Sequence, residues 1–108
     1  KQQAIFWHNQ TEVYSEHKTL NEFYESIEDL LDGLVESVAG IYGRPKGYEA
    51  HDFVDWTSTE DTINYFRGVY TYIQTEGTSL YSESWIQNEI DELAKLVAST
   101  IYKLTLKK

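Results

Sequence analysis

From Glu16 to Ala39 the apolar residues Leu20, Phe23, Ile27, Leu30, Leu31, Leu34, Val35 and Val38 recur at steps of three and four. That spacing follows the turn of an α-helix and gathers the side chains into one stripe, so the segment predicts a long amphipathic helix that other elements must cover. Ser15 stands where an N-cap belongs. Gly40, followed by Gly43 and Pro45, supplies the stop.

The same helix carries residues of metal-ligand type away from its apolar stripe. His17 and Asn21 are four apart near its start, and Asp32 and Glu36 are four apart near its end, so each pair shares a face one turn apart. The two pairs lie fifteen residues apart, roughly 22 Å along a helix, too far to hold one ion within a chain. Two copies packed antiparallel about a two-fold axis remove the misfit. Residues whose numbers sum to 53 then face each other, so His17 meets Glu36, Asn21 meets Asp32, and the axis passes between Ser26 and Ile27. The expectation is a homodimer with two identical mixed histidine and carboxylate sites.

The remaining chain reads as further helices. Lys1 to about Asn9 favours a short helical end containing Ala4, Ile5 and Trp7, and Asn9 to Ser15 predicts a turn. Gly40 to Thr57 holds the only proline together with Tyr42, Tyr48, Phe53 and Trp56. This is the signature of a packed connection, with a short helix expected within Ala50 to Trp56. Ser58 or Thr59 caps a third helix whose stripe is Ile63, Phe66, Val69, Tyr70 and Ile73 and which Gly77 ends. Ser82 or Ser84 caps a fourth with Trp85, Ile86, Ile90, Leu93, Val97, Ile101 and Leu104 inward. The prediction is an all-α four-helix bundle forming a single domain over residues 1–108. A long crossover between helices 2 and 3 allows those helices to run parallel, as in ferritin-like bundles.

Composition narrows the function. The 108 residues suffice for one core and not two. With no cysteine, disulfides, thiolate zinc sites and thiol catalysis are excluded, which suits a reducing cytoplasm and leaves nitrogen and oxygen as metal ligands. No run is long and apolar enough to span a bilayer and no signal peptide is evident, so a soluble protein without a membrane partner is expected. A formal net charge of −9 disfavours DNA as a partner and favours cations. Lys103, Lys107 and Lys108 complement a helix dipole at the C-terminus. The chain starts at Lys1 and has no methionine, so the native N-terminus is expected upstream, with a longer first helix.

Neutral histidine and carboxylate bind iron, zinc or manganese. His8 ends the first helix nine residues before His17, and the turn between them folds it back to the same end of the bundle. Trp7 beside it is read as core that also shields the site, and His51 in the connection as structural. A Glu-x-x-His pair on each of two helices is absent, as are phosphate-binding glycine loops, a nucleophile elbow and His-Glu-x-x-His. The tyrosines and tryptophans are read chiefly as packing.

The runs Phe6 to Asn9, His17 to Phe23 and Leu30 to Ser37 resemble the first half of Dps-like ferritins, and especially short Dps-like proteins encoded by tailed phages. The resemblance covers most of residues 2–43. It implies a ferroxidase centre between two-fold-related subunits that oxidises Fe²⁺ with peroxide or oxygen, iron storage, a dodecameric shell and, for a phage protein, the bacterial host cytoplasm. Carried over residue by residue, His8 and His17 match the family's two histidines, and Asp32 and Glu36 match the carboxylates that a partner chain supplies. Asn21 stands where the family has its first aspartate, which removes one anionic ligand and points to a degraded ferroxidase site. The His8–His17 gap is shorter than the family's, and no basic DNA-condensing extension is seen. The alternative expectation is a non-enzymatic phage-type interaction module that keeps the bundle and dimer and binds a protein through its aromatic connection.

Overall fold

The computed structural model describes residues 1–47 and 50–106, with the backbone alone at Thr78. Tyr48, Lys107 and Lys108 lie outside the described residues. Among the described residues there are four main helices and no strand: α1 Gln2–Gln10, α2 Tyr14–Tyr42, α3 Thr59–Tyr72 and α4 Ser84–Thr105. After α3 the chain continues through a π-helical turn, Ile73–Gly77, and a final single turn, Thr78–Leu80. None of these helices is long and apolar enough to cross a membrane.

Hydrogen bonds and ion pairs between elements fix the helix directions. Lys1 Nζ reaches Glu28 at 2.7 Å while His8 meets His17, so α1 runs antiparallel to α2. Trp56 and Thr59, at the end of the connection, both donate to Glu16 in the first turn of α2. The connection has therefore travelled back along the bundle, and α3 starts beside the start of α2 and runs parallel to it. Tyr42 at the end of α2 donates to Glu83 just before α4, and Lys103 near the end of α4 lies 3.8 Å from Glu22. The last helix is thus antiparallel to α2.

Several boundaries differ from the sequence expectation, each for a local reason. The N-cap of α2 is Val13, in extended conformation, and Ser15 lies inside the helix. Thr11 Oγ1 accepts the Val13 N–H at 3.1 Å and fixes the tight turn that sets this earlier start. Gly40 does not stop the helix. The break comes at Gly43, whose φ of 93° suits glycine and whose N–H donates back to Ala39. The α4 N-cap is Glu83, whose side chain makes no capping bond, and not Ser82 or Ser84. Ser58 does cap α3, accepting from the Asp61 N–H at 3.1 Å.

The expected short helix within Ala50 to Trp56 is absent, because α1 side chains take up the backbone groups of that stretch. Gln3 donates to the Val54 carbonyl and accepts the Val54 N–H, both at 2.9 Å, and Trp7 Nε1 donates to the same carbonyl at 2.7 Å. Gln10 Oε1 accepts the Trp56 N–H at 2.7 Å. Gln3, Trp7 and Gln10 recur at four- and three-residue steps, so one face of α1 straps an extended chain in place and meets its hydrogen-bonding needs without helix.

Leu20, Phe23 and Ile27 of α2, Phe66 of α3 and Val97 and Leu104 of α4 form the core, joined by Ala4 and Trp7 of α1. Phe23 and Phe66 meet edge to face at 4.8 Å, which ties the parallel pair. Complete burial of such side chains contributes about 2 kcal/mol each, and the burial extends to the end away from His8 through Leu93, Ile90 and Ile86 of α4. Toward that end Leu30, Leu31 and Leu34 are only partly covered and Val35 is 48% exposed. The short α1 does not reach that far. Trp85, expected in the α4 stripe, is likewise 46% exposed.

Candidate functional site

The α1–α2 turn brings His8 and His17 face to face. Their ring centroids are 3.7 Å apart with 18° between the planes. His8 Nδ1 bonds the His17 carbonyl oxygen, and His17 Nδ1 bonds the His8 carbonyl oxygen, both at 2.7 Å. A carbonyl only accepts, so each Nδ1 carries the hydrogen, and in the neutral ring each Nε2 keeps a free lone pair. A backbone carbonyl on Nδ1–H is the arrangement that orients imidazole for metal binding through Nε2.

Aromatic groups border the clasp. Tyr24 meets His8 edge-on at 5.3 Å, and Tyr14 lies parallel to His17 at 6.4 Å with Lys18 Nζ 5.7 Å from the Tyr14 ring centre. A cavity of about 380 Å³ is lined by His8, Tyr14, His17, Lys18, Asn21 and Glu22. Both histidines are half-buried. Asn21 belongs to the wall, with its amide already engaged: Nδ2 donates to Glu25 at 3.0 Å, and Oδ1 accepts from Tyr24 at 2.5 Å.

Asp32 and Glu36 are exposed on α2, well removed from the histidines of their own chain. Among the described residues no three histidines or carboxylates converge on one point. The chain brings His8, His17 and Asn21 together, while Asp32 and Glu36 face outward, open to a second molecule. His51 is exposed in the connection. Trp7 is buried core, as the packing reading holds, with its indole N–H on Val54.

Sequence reasoning missed Glu16, whose burial to 2% exposure makes it the most enclosed charged residue among those described. Its Oε2 accepts from Trp56 Nε1 and from Thr62 Oγ1, each at 2.8 Å, and its Oε1 accepts from the Thr59 hydroxyl. Those donors supply what a buried carboxylate needs, and the first turn of α3 adds its dipole. The partners lie forty and more residues away, so the only signal in the sequence is that Thr59 and Thr62 share a helix face. At the opposite end of α2, the Tyr42 hydroxyl donates to both Glu83 oxygens at 2.7 and 2.9 Å. That hydrogen bond, with smaller effects of burial and the Glu83 charge, raises the phenol above its ordinary value.

Fold and site together define an all-α helical bundle with a tautomer-fixed histidine pair at one end. The chain belongs to a family of unknown function, DUF5856, whose model matches residues 8–104, from the first of these histidines to the last core leucine of α4. No curated protein and no solved structure matches it.

Proposed function

We propose that this protein is a ferritin-like, Dps-like bundle that takes up Fe²⁺ at a site shared between two copies of the chain, His8 and His17 coming from one and Asp32 and Glu36 of the partner subunit completing it. The observation that carries this reading is the reciprocal clasp, which fixes both imidazoles and leaves both Nε2 atoms available. The parallel α2 and α3, joined by a connection that travels the length of the bundle, agree with it. So does the outward placement of Asp32 and Glu36 on the helix that carries His17 and Asn21.

The donor set suits a borderline divalent ion: two neutral nitrogens and two carboxylates match Fe²⁺, Zn²⁺ or Mn²⁺. Each clasped ring contributes one nitrogen, and the carboxylates neutralise the ion's charge. Asn21, held by Tyr24 and Glu25, acts as a positioning residue and not as an anionic ligand, which weakens a second metal position. As a ferroxidase, the site would pass one electron from each of two Fe²⁺ ions to hydrogen peroxide, which with two protons leaves two Fe³⁺ and two waters. The surrounding negative charge draws ferrous ions in.

Anaerobic Fe²⁺ titration, run with light scattering, tests the reading. Wild-type protein is expected to bind iron as a dimer or larger assembly, and Asp32→Ala plus Glu36→Ala to bind it at least about tenfold more weakly, since two charged ligands are lost. Unchanged binding in the double variant would remove the shared site. A second reading, a non-enzymatic phage-type interaction module, is favoured by Phe53 and Val54, which the connection leaves 50% and 60% exposed. Protein that binds no iron yet forms a stable complex through those two residues would establish it.

A further inference from the structure

At the end of the bundle away from the histidines, α2, α4 and the π-helical turn line an apolar groove of about 310 Å³. Leu34 and Val38 form one wall, Ile73 and Leu80 the second, and Ile90 and Leu93 the floor. Gly77 places the turn against α4, where a Cβ would stand 3.4 Å from an Ile90 methyl, at the edge of ordinary van der Waals contact. Among the described residues no charged one lines the groove. Its polar atoms are few, and two of its residues, Tyr72 and Tyr81, can offer hydroxyls. Binding sites for small molecules have this character: a mostly apolar hollow with a few polar groups to orient the guest.

The mouth carries a charge signal. Pro45 closes the groove on the side of the connection, and its two neighbours are Arg44 and Lys46, both exposed. Among the described residues neither makes an ion pair. In a chain of net charge −9 two cations flanking one proline are a local reversal. Among the described residues the carboxylates on neighbouring elements include Glu36, Glu76, Glu83 and Glu89; Tyr42 holds Glu83 and Ser37 holds Glu89. A π-helical turn in the wall agrees, because such turns concentrate at functional sites.

We infer that this groove binds a medium-chain carboxylate amphiphile, its alkyl chain lying between Leu34, Val38, Ile73 and Ile90 and its carboxylate meeting Arg44 and Lys46 at the mouth. An apolar cavity of about 150 Å³ holds one benzene, so this volume suits a chain of about eight to twelve carbons. Apolar burial supplies affinity and the two cations choose the sign of the headgroup. The inference stands apart from the metal reading, because it shares no residue with the histidine site.

Calorimetric titration with decanoate, and with decyltrimethylammonium as the oppositely charged counterpart, tests it on the full chain. Decanoate is expected to bind saturably, one per chain, and more tightly than the ammonium compound. The exposed pair Arg44→Glu plus Lys46→Glu should weaken decanoate by about tenfold and bring the ammonium compound level or ahead. Val38→Trp, filling the groove, should abolish both. Absence of saturable decanoate binding overturns the inference, as does equal affinity for the two amphiphiles in wild type. Because the charge-reversed pair is on the surface, its result stands even where Val38→Trp disturbs folding, which circular dichroism reports.

Discussion

His8 and His17 hold each other by symmetry of bonding: each ring donates from Nδ1 to the other residue's backbone carbonyl at 2.7 Å, with the rings stacked at 3.7 Å. The clasp closes the α1–α2 turn and fixes two nitrogen lone pairs in one operation. His17→Ala removes one of these bonds and the stack. Urea unfolding is expected to show a loss of about 1 kcal/mol, the usual net value of a hydrogen bond. Co²⁺ titration, followed by its visible absorption, should weaken at the same time. His8→Ala should do the same, and the double variant should lose less stability than the two single losses added, because each ring depends on the other. Strict additivity would show that the rings act independently.

Glu16 knots the start of α2 to the end of the connection and the start of α3. Glu16→Ala leaves the Trp56 indole N–H and the Thr59 hydroxyl without their acceptor, in a place that is largely closed to water, while the Thr62 hydroxyl keeps only the Ser58 carbonyl at 3.2 Å. The expected cost is about 3 kcal/mol, since each stranded buried donor carries its own desolvation penalty. Glu16→Gln keeps the shape but turns one acceptor into a donor facing donors, so it should recover only part of the loss. Tryptophan fluorescence during urea unfolding reads the midpoint, and the same measurement on Trp56→Phe isolates the part that comes from this indole. A Glu16→Ala protein as stable as wild type would contradict this role.

How much of this was legible in the sequence depends on the range of the contact. The α2 stripe, the cap at Ser58 and the stop of the connection at α3 are local patterns, and the helical period alone predicts them. The return of His8 to His17 was readable as well, since only nine residues and one turn separate them. The Glu16 knot was not, because an acid in a first helical turn is ordinary there and its three partners are distant in sequence. The extended course of 50–56 was lost for the same reason. Its residues, Ala50 to Trp56, have no helical fault of their own, and the deciding groups, Gln3 and Gln10, sit on α1. Gly40 misled by residue type. Glycine stops a helix only where the backbone needs a positive φ, and that need arises at Gly43.

Tyr42 titrates above its ordinary value because its hydroxyl donates to the Glu83 carboxylate. A raised folded-state value means that the neutral phenol is favoured by folding. The contribution is therefore complete below the unfolded value, about 10, and is lost as pH rises through the folded one. Glu83→Gln should move one tyrosine to a lower pH in a tyrosinate absorbance titration, and should remove part of the stability lost between neutral and strongly alkaline pH. Tyr42→Phe should abolish that shifted step. A titration curve identical in wild type and Glu83→Gln would mean that this hydrogen bond does not hold in solution.

Gln3 is the residue through which α1 grips the connection, since both ends of its amide meet the backbone of Val54. Gln3→Ala removes both bonds, yet the Val54 carbonyl keeps Trp7 Nε1 as a donor and the exposed Val54 N–H can turn to water. The global cost is therefore modest, about 1 kcal/mol. The local effect is larger, because Trp7 with Val54, Gln10 with Asp55 and Trp56, and the Phe6–Phe53 ring contact are left to hold the strap. Limited proteolysis should cut Gln3→Ala within the connection several times faster than wild type while leaving the helices intact. Gln3→Glu sharpens the test. It retains the acceptor for the Val54 N–H but sets a carboxylate against the Val54 carbonyl, so it should be cut at least as fast as Gln3→Ala. Equal cleavage of all three proteins would show that the connection is held by its aromatic contacts and not by the side chain of Gln3.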